Sequence, residues 1–173
     1  MVMDTATAEL DTADRADTPT AVQEALAAYE LAFDHLLTLV HDGGLDDHDD
    51  LGVIGVAQEL ERLRQRQSLV DHRVVRDLET RGVPGRLCQP NVARVLAQAL
   101  LLSPAEASRR VRAAAQVGAR VSMTGLPLPP ARPALAAAQS AGQASAEQVD
   151  LCLRALEKVD HRGFDPVDLE AAD

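Results

Sequence analysis

Apolar side chains recur at helical spacing over most of this chain. Val22, Leu26, Tyr29, Phe33, Leu36 and Val40 follow at alternating steps of four and three. That spacing predicts one stripe along a helix, which Gly43 and Gly44 end. A second stripe, Val56, Leu60, Leu63, Gln67, Val70, Val74 and Leu78, belongs to a helix starting near Asp49 or Asp50, with Gln67 as its polar interruption. Arg62, Arg64, Arg66, Arg73 and Arg76 lie mostly off that stripe. Two long amphipathic helices on a short loop must cover their stripes, and each other's surface is the economical cover. The pattern therefore predicts an antiparallel hairpin of coiled-coil type over residues 19–81.

Breakers crowd the next stretch, "TRGVPGRLCQPN", which reads as a connection. A short helix follows from about Asn91 to Leu100. In "SPAEAS", Ser103 takes the N-cap, Pro104 the first helical position, and Glu106 stands three residues after the cap. This capping box starts a third long helix at Pro104 that ends near Gly118 to Arg120. "SMTGLPLPPARP" reads as a Pro/Gly loop, and Pro133 opens an Ala-rich helix that stops at Gly142. Ser145 and Gln148 form a further capping box ahead of a last stripe, Val149, Cys152, Leu156 and Val159. No segment reads convincingly as a strand. The fold class is all-α: a long antiparallel hairpin, then a compact bundle of shorter helices at 91–160. Residues 1–18 show no periodicity and read as a disordered acidic N-terminus, and residues 161–173 as an acidic tail.

Composition sharpens this picture. Aromatics make up 2% of the chain and Trp is absent, so the core must come from Leu, Val and Ala, which suits packed helices. Two distant cysteines, Cys88 and Cys152, argue against a disulfide framework and for a reducing compartment. No signal-peptide pattern opens the chain, and no run approaches the about 18 apolar residues of a membrane span. The expectation is a cytoplasmic protein without membrane contact.

The net charge of -10 is unevenly spread. Residues 1–81 carry 18 acids and 7 bases, residues 82–146 carry 1 acid and 7 bases, and residues 147–173 carry 8 acids and 3 bases. The middle is thus basic inside an acidic chain, which bears on partners rather than on fold. On a helical projection of residues 104–120, Ala107, Val111, Ala114 and Gly118 share one side. Arg109, Arg112, Gln116 and Arg120 share the other, with Arg110 on a flank. A short helix, a turn at Leu101 to Ser103 and an Arg-bearing helix make the outline of a helix-turn-helix. In that reading Ser103, Arg109, Arg110, Arg112, Gln116 and Arg120 contact DNA, guanidinium against phosphate or guanine. Two departures stand against it: Leu101 holds the turn position that favours Gly, and the small Ala107 packs where a branched residue is usual. The competing reading is an arginine face that complements the chain's own acids or a partner subunit.

Other chemistry is thinly represented. "HDGGLDDHDDLG" gathers acids, but lacks the order of an EF-hand, and N-capping of the next helix accounts for it. His35, His41, His48, His72 and His161 are scattered, and no GxSxG, P-loop or GxGxxG occurs. Cys152 lies on the last apolar stripe and reads as buried packing. The expectation is a protein that is not an enzyme and holds no cofactor or metal.

Three segments, "LSPAEASRRVRAA", "TGLPLPP" and "AGQASAEQVD", with "ELERLRQRQSLVDHRVVRDLETRG" upstream, resemble the bacterial 13E12-repeat family. This is the helical domain of unknown function that precedes HNH nuclease modules. The resemblance covers about residues 20–160 and implies an N-terminal portion truncated before the HNH module, without nuclease activity. The company of that module suggests DNA transactions. Two roles follow as expectations: a non-catalytic domain that contacts DNA through residues 104–120, or an assembly module that dimerises through the 20–80 hairpin. A decayed fragment with no activity of its own is the third.

Overall fold

The computed structural model describes residues 20–160, so the N-terminal stretch 1–18 and the tail 161–173 lie outside the described residues. The fold is all-α. Its helices are α1 (Ala21–His41), α2 (Asp50–Thr80), α3 (Val83–Arg86), α4 (Val92–Ala99), α5 (Pro104–Val117), α6 (Pro133–Ser140) and α7 (Ala146–Asp160). The chain divides into two compact units, Met1–Ile54 and Gly55–Asp173.

In the first unit α1 is capped at its start by a reciprocal pair. The Gln23 amide N–H donates to the Thr20 hydroxyl at 3.3 Å, and the Thr20 N–H donates to Gln23 Oε1 at 2.7 Å. After His41 the chain turns through Gly43 at φ +87°, a left-handed conformation that glycine adopts without strain. Asp49 then caps α2, accepting the Gly52 N–H at 2.8 Å, as the acidic loop predicted. No residue of α1 is buried: its stripe is exposed apart from the half-buried Leu36, with Val22 at 69% and Phe33 at 48%.

In the second unit two apolar clusters meet on α5. One joins Val75 of α2, Val92 and Leu96 of α4, and Ala107 and Ala114 of α5. The other joins Ala113 and Val117 of α5, Leu135 of α6, and Val149, Leu153 and Leu156 of α7. Alanine at three of these contacts, Ala107, Ala113 and Ala114, lets the helices approach closely, which a chain poor in aromatics requires.

Two stripes read from the sequence rotate in the structure. On α2 the buried residues are Ser68, His72 and Val75, while Leu63, Val70 and Val74 of the expected stripe are exposed. On α7 the buried apolar residues are Val149, Leu153 and Leu156, and Cys152 is exposed, contrary to the expectation of buried packing. In both helices a polar residue with a tertiary partner, His72 or Asp150, occupies the inner face, and periodicity alone weighs only apolarity.

The connections differ in detail from expectation. The breaker segment contains the one-turn α3, with Pro84 in its first turn. The Pro/Gly loop contains a two-residue antiparallel pairing, Arg120 with Leu128 and Val121 with Pro127, closed by a turn through Gly125. Gly142, between α6 and α7, is fixed twice over. Its φ is +70°, and a Cβ there would lie 2.5 Å from Arg62 Cγ and 2.9 Å from the Arg62 carbonyl oxygen.

Leu101, between α4 and α5, holds φ +54° with its side chain 92% exposed. A left-handed leucine with no packing in return is strained by about 1 kcal/mol. Leu101→Gly is therefore expected to stabilise the protein by roughly 0.5–1 kcal/mol, read as a higher urea midpoint at unchanged slope.

Candidate functional site

The candidate site is α5 and the groups around it. Ser103 caps the helix, accepting the Glu106 N–H at 3.1 Å. The expected reciprocal half of the box is not formed, because the Glu106 carboxylate turns to the arginines. Arg109 Nη2 lies 2.6 Å from Glu106 Oε2, and Arg110 Nε donates to Glu106 Oε1 at 2.9 Å. Burial alone would raise the Glu106 pKa, but the hydrogen bonds from Arg110 and Arg109 and their charges outweigh it and hold it below its ordinary value.

The other arginine contacts tie α5 to its neighbours. Arg110 Nη1 donates to Asp71 Oδ2 on α2 at 3.2 Å. Arg112 Nη2 lies 3.1 Å from Asp150 Oδ1 on α7, and its Nη1 lies 3.9 Å from Glu157. Asp150 is buried and also holds Arg154 at 2.6 Å. These carboxylates come from distant sequence positions.

The outward face predicted for α5 therefore takes a different form. Arg109, Arg110, Arg112 and Gln116 are all half-buried, and the exposed residues of the helix are Pro104, Ala105, Ser108 and Ala115. Arg120 lies beyond the helix, exposed in the first short strand. The structure thus gathers Glu106, Arg109, Arg110 and Arg112 into an internal charge network, leaves Ser103 as a cap, and separates Arg120 from them. Four small uncharged residues remain outward, a poor match to a phosphate backbone or a base edge.

Sequence reasoning missed Asp71, Asp150, His72 and Gln139. His72 Nε2–H donates to Gln139 Oε1 at 2.8 Å, and both side chains are buried. Desolvation lowers the His72 pKa below its usual value, although the Gln139 hydrogen bond and the Asp71 charge push it back up. The available signal was Asp150 beside Val149 of the last stripe and four residues before Arg154.

Breaking the network has a definite consequence. Arg112→Ala leaves the buried Asp150 with Arg154 alone, so stability is expected to fall by about 2 kcal/mol. Calorimetry would read this as a melting temperature lower by about 4–8 °C. A shift near zero would mean that Arg112 is a solvated surface group.

Comparison with known proteins places the second unit. A family model, described as a domain of unknown function (DUF222), matches residues 54–173, and the compact unit begins at Gly55. An uncharacterized protein of Mycobacterium bovis is 32% identical over 139 residues, covering 78% of this chain and 29% of that protein. An uncharacterized protein of Mycobacterium tuberculosis is 33% identical over 142 residues, covering 80% of this chain and 30% of its own length. The chain thus spans under a third of these relatives. No solved structure matches it. Among the described residues no helix is long and apolar enough to cross a membrane. With the family match covering more than two thirds of its length, this chain belongs to the DUF222 family.

Proposed function

We propose that the chain is a non-catalytic assembly module, in which α1 pairs two copies of the protein antiparallel about a two-fold axis. The observation that carries this reading is the symmetry of the α1 stripe about Leu31. Val22 mirrors Val40, Leu26 mirrors Leu36, and Tyr29 mirrors Phe33. In an isologous interface residue i of one copy meets j of the other, and j meets i. An antiparallel pair in this register sets valine on valine, leucine on leucine and the aromatic residues on each other at the centre.

Two further facts support it. α1 is a well-capped helix of 21 residues, about 32 Å long, with no buried residue. Tyr29 and Phe33 on its stripe are two of the three aromatic residues in the whole chain, and aromatics concentrate at interface centres. Full-length pairing is what brings such a helix toward the roughly 1,000 Å² of a stable interface.

The reading is tested by light scattering over a salt series. Glu30 and Asp34 flank the stripe on one side, and antiparallel pairing brings like flanks together, so added salt is expected to hold or tighten the dimer. A monomer at high protein concentration at every salt overturns the proposal.

DNA contact retains one specific support. Arg66, Arg86, Arg94, Arg120 and Arg132 make no ion pair with any described residue. A DNA role would rest on these rather than on α5, as part of a longer protein of the HNH-associated kind. Its signature is opposite to pairing, because phosphate contacts weaken steeply with salt.

A further inference from the structure

The last helix, α7, is apolar on two sides. Val149, Leu153 and Leu156 face the core. On another side Leu151, Ala155 and Val159 follow at steps of four and floor an open groove of about 480 Å³, with Arg154 and Lys158 along its rim. Leu151 is 55% exposed and Ala155 is exposed, while Val159 at the far end packs against the core cluster. Every described residue that lines the groove belongs to α7 itself. We propose that the chain's own segment 161–173 turns back at the end of α7 and covers this groove.

The sequence supplies the turn. Gly163 stands just past the described end of α7 at Asp160. Glycine there ends a helix in a left-handed conformation, and the residue after it packs onto the one five positions earlier. That sets Phe164, the third aromatic residue of the chain, on Val159, where the groove joins the core. Pro166 keeps the helix from running on.

Length suits the task. From Val159 to Leu151 the groove floor is about 12 Å long, and the ten residues after Gly163 span up to about 33 Å. Val167 and Leu169 continue the apolar side of the segment beyond Phe164.

Charge names this occupant over another. The segment carries Asp165, Asp168, Glu170 and Asp173 against a single arginine, Arg162. On the rim Arg154 is committed to Asp150, but Lys158 makes no ion pair with any described residue and is open to one of these acids. The family domain also runs through residue 173, so the segment and α7 belong to the same domain.

Cys152, exposed and three residues before Ala155, reports on the groove. The experiment follows its reaction with a thiol reagent in the full chain, with Cys88→Ser leaving it as the only thiol. Phe164→Asp is expected to speed that reaction about tenfold by freeing the cover. A nearby carboxylate alone would slow it by disfavouring the thiolate, so acceleration reports uncovering. The cover acts within one chain, so the rates are expected to hold on dilution, whether or not α1 pairs. Equal rates with and without Phe164→Asp overturn the proposal. So does a reaction that slows as protein concentration rises, which would put a second copy in the groove.

Discussion

Aspartate at Leu26 and Phe33 together is expected to abolish the proposed pairing through α1. Both positions lie on the mirrored stripe, where antiparallel pairing sets them against Leu36 and Tyr29 of the second copy. Each carboxylate would be carried into an apolar seam without a counter-charge, and interface centres lose about 2 kcal/mol or more for such a change. A two-fold interface contains each substitution twice, so the affinity is expected to fall by at least about a thousandfold. Both residues are exposed within the chain, so the DUF222 unit is expected to melt unchanged. Leu31→Asp is the control. Leu31 is 72% exposed and points away from the stripe, and its substitution is expected to leave pairing intact. Sedimentation of the three proteins checks all of this. Equal loss of association in the control would mean that α1 acts by general stickiness.

Gln139→Leu is expected to produce the second large effect, a stability loss of about 2–3 kcal/mol that grows as the pH falls. Gln139 is 0% exposed, and leucine fills similar volume but leaves the His72 Nε2–H buried without a partner. The pH dependence follows from linkage. The folded protein holds the His72 pKa below its unfolded value, so above about pH 6.5 both states are neutral and stability is full. As the pH falls from there toward the folded pKa, the unfolded chain binds protons that the folded chain refuses, and stability is lost. The Gln139 hydrogen bond opposes the desolvation shift, so removing it lowers the folded pKa further and extends the window of loss to more acidic pH. Denaturant midpoints across pH 5 to 8 check the slope. Parallel profiles for the variant and the parent would show that the two side chains are not coupled.

Local chemistry was legible in the sequence. The starts of α5 at Pro104 and α7 at Ala146 follow from Ser103 and from the Ser145–Gln148 pair, whose two hydrogen bonds measure 3.1 and 2.8 Å. Glycine and proline fixed the ends of α1 and α6 to within two residues. What the pattern misjudged was which way two helices face. A histidine becomes an inner residue only because a glutamine 67 positions away reaches it, and no periodicity within α2 contains that fact. The same holds for α5: its arginines form a stripe on a projection, but Asp71 and Asp150, which half-enclose them, are 39 and 38 positions from their partners. For α1 the stripe is legible in the sequence, and the helix it marks runs from Ala21 to His41.

Engineered disulfides test the pairing of α1 most directly. In a background where the exposed Cys88 and Cys152 are replaced by serine, Leu26→Cys and Leu36→Cys are made singly and together, then oxidised. The two sites are about 15 Å apart along one helix, beyond the roughly 7 Å reach of a disulfide, so a bond between them must join two copies. Antiparallel pairing about Leu31 is expected to give a covalent dimer from the double variant and almost none from either single variant. Single variants that cross-link as well as the double one, or a double variant that stays monomeric, would contradict it.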